Sequence, residues 1–233
     1  HSSGYVQGVD RDTPLGLLGE SCRTIRLEPH VGDFIMRGGV LATVWGAEAG
    51  TEDRPLDERI RDAFILGYER TPRLDAELGV VELVDIAVKA LSPGINDPTT
   101  ATICLDRLCE IIVEFGRRDP PPRVHRPEGK AGALILPRPE FDHLVETALD
   151  QIRHYGAANP HFVISVLRRL AELGRLLPAD RHPPLARQAE AALREGLSNQ
   201  PDPADARRMR EAAAQAHEAL GGAPVPGSRD AGA

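Results

Sequence analysis

The stretch Leu91-Ser92-Pro93-Gly94-Ile95-Asn96-Asp97-Pro98-Thr99-Thr100-Ala101 joins two strongly apolar segments through residues that suit a sharp change of direction. Ser92-Pro93-Gly94 ends the first helix, because a residue before proline disfavours helical geometry and glycine accepts a positive φ. Asp97 is the predicted N-cap of the next helix, and Pro98 fits its first position. The stretch therefore predicts a tight corner between two helices, around which the rest of the chain is organised.

This corner is also the best candidate for a functional site. A helix N-terminus with free amides, flanked by the hydroxyls of Thr99 and Thr100, can hold an anionic group. Asp97 opposes such binding, because its carboxylate occupies the amides that it caps. Two interpretations therefore stay open: a ligand site, and a corner that needs its residues only for capping. Capping explains Ser92, Asn96, Thr99 and Thr100 least well.

The two segments beside the corner are predicted to be helices that pack as an antiparallel pair. The first, from 76 to 91, is apolar nearly all round, which predicts a central buried element. Asp85 in its middle either pairs with Lys89 one turn later or serves as a functional carboxylate. Helical spacing of apolar residues predicts the remaining helices at 55–67, 99–116, 140–156, 160–177, 184–197 and 203–220.

The first part of the chain has the pattern of a small β-structure instead. Residues 5–10 and 22–27 alternate with period two, and residues 40–45 follow the turn at Gly38-Gly39, which predicts three short strands. The phrase from Val31 to Leu41 is similar to the G-D-x-V-x-x-G-x-x-L phrase of biotinyl- and lipoyl-type barrel-sandwich domains. This region contains no lysine, so a swinging-arm carrier function does not follow. Turn geometry alone explains Gly32, Gly38 and Gly39.

These patterns predict an α+β fold, in which a small, barrel-sandwich-like N-terminal β-subdomain precedes a mostly α-helical subdomain. The predicted divisions are 1–46 for the β-subdomain, 55–177 for a helical core with the central helix pair and one short strand, 178–220 for peripheral C-terminal helices, and 221–233 for a disordered tail.

Composition excludes several functional classes. The net charge of -7 argues against nucleic acid as a partner, since phosphate backbones require a concentrated basic face. No apolar run reaches the length of a membrane span, so we expect this chain to be soluble.

Cys104 and Cys109 lie in an apolar helix and are expected to be buried thiols; no cysteine or histidine spacing predicts a metal site. No cofactor can be named. The start at His1, without initiator Met or signal peptide, predicts a processed or truncated chain.

Several phrases together resemble the family called domain of unknown function 2254, which comprises predicted bacterial membrane proteins. They are Val31-Gly32-Asp33-Phe34, Arg70-Thr71 with Asp75, and Leu83-Val84-Asp85-Ile86-Ala87 running into Ser92-Pro93-Gly94-Ile95-Asn96-Asp97-Pro98. The resemblance implies that transmembrane helices precede this region in the full-length protein and form its first partner. It also implies attachment to the bacterial inner membrane and, if the preceding helices are even in number, a position of this region on the cytoplasmic side. It implies no activity.

Three functions are compatible with the sequence. The first, which we favour, is a ligand-sensing or regulatory domain of an integral membrane protein such as a channel or transporter; Arg70 would pair with Asp75 or Asp97, or meet an anion. The second is a structural oligomerisation module, and a homo-oligomer is expected. The third and least favoured is a hydrolase with Asp85 or Asp97 as general base, because no histidine or lysine lies beside a nucleophile. The candidate ligand-binding residues are Arg70, Thr71, Asp85, Ser92, Asn96, Asp97, Thr99 and Thr100.

Overall fold

A computed structural model describes residues 3–19, 23–46, 54–199 and 201–221. The chain has an N-terminal region with two β-sheets followed by a mostly helical region, which confirms the predicted α+β class. The predicted linker between residues 47 and 53 and the predicted tail after Gly221 lie outside the described residues, as does Cys22. The likeness to barrel-sandwich domains stays a prediction.

The chain forms two compact units, and both are interrupted in sequence. The first comprises His1–Gly79 and Pro120–Pro139, and the second comprises Val80–Asp119 and Glu140–Ala233. This division differs from the predicted boundaries because strands distant in sequence pair with the N-terminal ones. The elements of the first unit are β1 (Gly4–Val9), α1 (Asp12–Leu17), β2 (Thr24–Leu27), β3 (Phe34–Ile35), β4 (Ala42–Trp45), α2 (Leu56–Arg61), β5 (Phe64–Gly67), β6 (Val124–His125) and β7 (Ala133–Ile135).

The strands of the first unit form two sheets. One is antiparallel, with the order β3-β1-β5, and the other has the order β4-β2-β7-β6, in which β2 and β7 run parallel. In β2, Ile25 and Leu27 are buried while Arg26 points outward, which is the period of two that predicted this strand. The core of the unit contains Val6, Leu17, Leu18, Ile25, Leu27, Leu41, Ile60, Ala63, Phe64, Leu134 and Leu136.

The helix predicted over 55–67 is wrong in its second half. Helix α2 ends at Arg61, and Phe64–Gly67 pair with β1 as a strand. Apolar residues at helical spacing suggested a longer helix, but Phe64-Ile65-Leu66 also suits a strand, and pairing with β1 decides between them. Between 55 and 177 the chain consequently contains three strands, β5, β6 and β7, where the sequence predicts one.

In its described residues, the second unit contains five complete α-helices and most of a sixth. They are α3 (Ala76–Leu91), which begins in the first unit, α4 (Pro98–Gly116), α5 (Phe141–Gly156), α6 (Pro160–Leu176), α7 (His182–Ser198) and α8 (Pro203–Ala219). All six were predicted within a few residues. The central helix is α6, which packs against α4, α5, α7 and α8.

The prediction that helix 76–91 is the central buried element is wrong. Only Val80, Val84, Ala87 and Ala90 of α3 are buried, and Ile86 is 48% exposed. The predicted peripheral helices α7 and α8 instead pack on α6, because small residues allow a close approach. At Gly174, for example, a methyl group would lie 2.9 Å from the carbonyl oxygen of Ala219. The predicted antiparallel pairing of α3 with α4 is wrong as well, because α4 packs closely against α5 and α6 but not against α3.

Candidate functional site

The corner between α3 and α4 is closed by its own hydrogen bonds. The Ser92 carbonyl accepts the backbone amides of Ile95, at 3.0 Å, and Asn96, at 2.8 Å. The Asp97 amide donates to the Ala90 carbonyl at 2.8 Å, which ties the start of α4 to the end of α3. The Ser92 hydroxyl donates to the Lys89 carbonyl at 2.6 Å. Ser92 therefore serves the helix end, where its carbonyl and its hydroxyl are both engaged.

Asn96 holds the backbone conformation on which the corner depends. Its φ is +48°, and within the described ranges no other residue except glycine has a positive φ. Asparagine tolerates this left-handed region better than most residues with a side chain. The identity of Asn96 thus has a backbone explanation that the sequence did not reveal, although its side chain is exposed.

Asp97 is the N-cap of α4, as predicted. Its carboxylate accepts the backbone amides of Thr99 and Thr100 at 3.1 and 3.0 Å, and the Thr100 hydroxyl at 2.5 Å. The bonds from the hydroxyl and amide of Thr100, followed by that from Thr99, lower the pKa of Asp97 below its ordinary value. The amides that an anion would need are therefore already occupied, and of the two threonine side chains only that of Thr99 stays exposed.

Asp85 is exposed on α3, about two helical turns before Ser92. In the part of the chain that the structure describes, Lys89 forms no ion pair with it, so the expected pairing is absent. Asp85 belongs to the same unit as the corner, whereas Arg70 and Thr71 belong to the other unit. A joint pocket formed by the corner and the Arg70-Thr71 segment therefore stays a prediction.

Arg70 pairs with Asp75, one of the two carboxylates predicted for it. Its Nε and Nη2 donate to the two carboxylate oxygens at 2.5 and 2.8 Å, and Asp75 also accepts the Leu78 amide at 3.1 Å. The side chain of Asp75 is only 1% exposed and that of Arg70 is 23% exposed. Burial alone would raise the pKa of Asp75, but the bonds from Arg70 and Leu78 outweigh it, and the pKa is lowered. This bidentate pair fixes the segment between β5 and α3.

Gly32 completes this arrangement, and the sequence predicted it only as a turn residue. Its φ is +99°, and a methyl group on it would lie 2.6 Å from Oδ2 of Asp75 and 2.8 Å from Nη2 of Arg70. The turn before β3 therefore lies directly on the buried ion pair. The signal in the sequence was the Gly32-Asp33 phrase, but only the fold shows which side chains approach it.

A pocket that the sequence did not predict lies between β4 and α2 in the first unit. Its volume is about 450 Å³, within the range of roughly 300–1,000 Å³ typical of small-molecule sites. Apolar side chains dominate its wall, and the pair Asp57–Arg61, 3.2 Å apart, lies at its edge. The lining consists of Gly39, Leu41, Ala42, Val44, Leu56, Asp57, Ile60 and Arg61. No local sequence pattern marks it, because it arises where a strand meets a helix.

The described cysteines are structural, as predicted. Cys104 and Cys109 are both buried thiols of α4, and burial raises the pKa of Cys109 to about 12. Burial also raises the pKa of Cys104, so for both thiols it disfavours the thiolate that nucleophilic or metal chemistry requires. Across the described ranges, no three His, Cys, Asp or Glu side chains are grouped as a metal ion would need.

Comparison with known proteins identifies the family of the chain. Residues 1–172 match the model of the predicted membrane protein family DUF2254. The chain belongs to this family. An uncharacterized protein of Mycobacterium bovis (strain ATCC BAA-935 / AF2122/97) is 34% identical over 177 residues, which cover 74% of the chain and 34% of that relative. Uncharacterized proteins of Mycobacterium tuberculosis show the same identity in strain H37Rv and 33% in strain CDC 1551.

The matched region is therefore about a third of the length of these DUF2254 relatives. Among the helices that the structure describes, none combines the length and apolar character needed to cross a membrane. No solved structure matches the chain. The family is described as one of predicted membrane proteins, and that description names no activity.

Proposed function

We propose that this chain is a ligand-sensing, regulatory part of an integral membrane protein, and that its ligand binds in the pocket between β4 and α2. The pocket is the observation that carries the proposal. Membership of a predicted membrane protein family and the greater length of the relatives support the attachment to a membrane. The partner would be the membrane-embedded N-terminal region of the same protein, with this region on the cytoplasmic side of the inner membrane.

The lining of the pocket indicates the chemistry of the ligand. Leu41, Val44 and Ile60 offer an apolar wall for an aliphatic or aromatic body. At the edge, Arg61 and Asp57 are 40% and 73% exposed, so their ion pair contributes little and can exchange partners. An anionic group on the ligand would take the place of Asp57 beside Arg61. We therefore expect a small amphipathic anion.

Titration with the fluorescent probe anilinonaphthalene sulfonate tests this proposal, because the probe combines an aromatic body with an anionic group. We expect saturable binding to the wild-type chain, loss of binding in Val44→Trp, which fills the pocket, and retention in Asn96→Ala at the corner. Circular dichroism would verify that each variant is folded.

The reverse pattern, with binding lost in Asn96→Ala and kept in Val44→Trp, would place the ligand at the corner. Equal binding by all three chains would contradict a specific site of either kind. Small-molecule libraries screened for displacement of the probe would then narrow the ligand class.

An oligomerisation module is the second candidate function, and exposed apolar side chains on the first unit favour it. Phe34, Ile65 and Leu74 are each more than half exposed. The hydrolase has less support from the geometry of the corner. The carboxylate of Asp97 is engaged by three donors and its pKa is lowered, which makes it a poor general base near neutral pH.

A further inference from the structure

The segment from Met36 to Val40, directly after β3, forms a tight turn that extends away from the first unit. The Gly39 amide donates to the Met36 carbonyl at 2.8 Å. Between them Gly38 has a φ of +87°, and a methyl group on it would meet no described atom within 4 Å. Met36 is 72% exposed and Val40 is 64% exposed. We call this segment, Met36–Val40, the tip.

The tip and its flank combine exposed apolar side chains with one positive charge. Phe34 is 52% exposed, whereas Ile35 packs against the core of the unit, as alternation along β3 requires. Arg37 is exposed, and it is the only charged residue between Phe34 and Trp45 in a chain whose net charge is -7. A bilayer offers both partners that this combination needs, acyl chains for the apolar groups and anionic headgroups for the guanidinium.

The tip lies beside the start of the described chain. The Arg37 amide donates to Ser3 Oγ at 2.8 Å, and Gly4 pairs with Ile35 at the beginning of β1. In the function proposed above, a membrane-embedded region precedes residue 1. It would join the chain two residues before Ser3, which is a covalent reach of at most about 7 Å. The tip would then occupy the end of the first unit that is nearest to the bilayer.

The small size of the tip also favours a bilayer over a protein partner. A stable protein interface buries about 800 Å² on each partner, and three partly exposed side chains supply only a fraction of that area. A few inserted apolar groups are sufficient at a membrane, where they bind reversibly and act together with a second anchor. The membrane-embedded region would be that second anchor.

We propose that the first unit docks on an anionic lipid bilayer through the tip, with Met36 inserted among the acyl chains and Arg37 at the phosphate groups. This inference rests on the part of the proposed function that places a membrane-embedded region before residue 1. It adds which surface of the unit meets the membrane, and it does not depend on a ligand in the pocket.

Sedimentation of the 233-residue chain with equimolar vesicles of phosphatidylglycerol and phosphatidylcholine tests the proposal. We expect the wild type to bind reversibly. Met36→Glu should lower the partition coefficient by about tenfold or more, because it removes an inserted apolar side chain and adds a negative charge. Arg37→Ala should remove the preference for these vesicles over vesicles of phosphatidylcholine alone, since the guanidinium is the group that meets the anionic headgroups.

Leu74→Glu is the matched control, because it makes the same change at another exposed apolar residue of the same unit. Leu74 is 62% exposed and lies beside Gly8, farther along β1 from Ser3 than the tip is. Leu74→Glu should therefore bind vesicles like the wild type. Circular dichroism would verify that this variant and those at the tip are folded.

A tryptophan at the tip distinguishes insertion from adsorption. Trp45 is the single tryptophan of the chain, so Trp45→Phe provides a background without tryptophan fluorescence. In that background, Met36→Trp should shift to shorter wavelength on vesicles and be quenched by brominated acyl chains. Leu74→Trp in the same background should show neither change.

Several outcomes would overturn the proposal: a wild type that does not bind, equal binding by Met36→Glu and the wild type, equal losses in Met36→Glu and Leu74→Glu, or an unquenched Met36→Trp. A wild type that ignores vesicles but self-associates through Met36 would assign the tip to a second copy instead. Val44→Trp, which fills the pocket, should leave vesicle binding unchanged, and Met36→Glu should leave binding of the fluorescent probe unchanged. Failure of the tip is therefore distinguishable from failure of the pocket.

Discussion

Removal of the Arg70 guanidinium should destabilise the first unit far more than removal of an exposed arginine. In Arg70→Met, the buried Asp75 carboxylate keeps the Leu78 amide but loses both bonds from Arg70. Two opposite charges about 4 Å apart attract by roughly 4 kcal/mol at an effective dielectric constant of about 20. Breaking a fully buried pair costs about 3–5 kcal/mol. Because Arg70 is 23% exposed, we expect a loss of about 3 kcal/mol.

The loss of stability in Arg70→Met should also depend on pH. In the wild type the pKa of Asp75 is below its ordinary value, so its contribution is complete near neutral pH and disappears as the pH falls through that lowered pKa. In Arg70→Met burial acts without the guanidinium and raises the pKa of Asp75. Protonation of Asp75 then removes the unpaired buried charge from the folded variant. The difference in the free energy of unfolding between variant and wild type should therefore shrink as the pH falls from about 7 to about 5.

The assay can isolate the first unit. The chain has one tryptophan, Trp45, which lies in β4, so its fluorescence during urea denaturation reports on that unit. Arg54→Met is the matched control in the same unit, because the Arg54–Asp62 pair is more than half exposed on both sides. We expect only a small effect, since exposed ion pairs contribute little to stability. Arg70→Met with Asp75→Leu should recover most of the stability. Equal losses of stability in Arg70→Met and Arg54→Met, or a loss in Arg70→Met that does not depend on pH, would refute the reasoning.

Two further pairs of substitutions test the close approach at Gly32 and the N-cap at Asp97. Gly32→Ala should cost about 2–3 kcal/mol in the Trp45 assay, since it adds a clash with Asp75 to a positive φ, whereas Gly38→Ala, with φ +87° and open space, should cost only about 1 kcal/mol. Similar losses of stability for both variants would show that the close approach of Gly32 to Asp75 adds no cost beyond the positive φ. Asp97→Ala should lower the stability of the helical unit, as measured by circular dichroism, by about 1 kcal/mol. Asp97→Asn should lower it much less, because asparagine also caps helices. Equal losses for the two would contradict the capping role.

The sequence predicted best what depends on near neighbours. Asp97 and Pro98 specify the start of α4 through contacts within three residues, and the structure confirms both. The same is true of β2, whose alternation is local. The strand β5 was missed because its identity depends on β1, more than fifty residues earlier, and helical spacing offered a competing pattern.

The site was less predictable than the fold for a related reason. Arg70 could be assigned to Asp75 or to Asp97 from the sequence, and only the structure shows the bidentate bond to Asp75. The burial of α3 was overestimated because its apolar sequence does not say which faces find a partner within one chain; Ile86 remains 48% exposed. The pocket beside Val44 depends on how a strand and a helix meet, and no residue in it has an unusual local context.

These differences change how functional experiments on the corner should be interpreted. Ser92, Asn96 and Asp97 each support the backbone of the corner, through a bond to Lys89, a left-handed conformation and an N-cap. A substitution at any of them is expected to lower stability whether or not the corner binds a ligand. Loss of a ligand response in a corner variant is therefore informative only when the fold is shown to be intact. Val44, in the wall of the pocket, offers the cleaner perturbation because it holds no such backbone role.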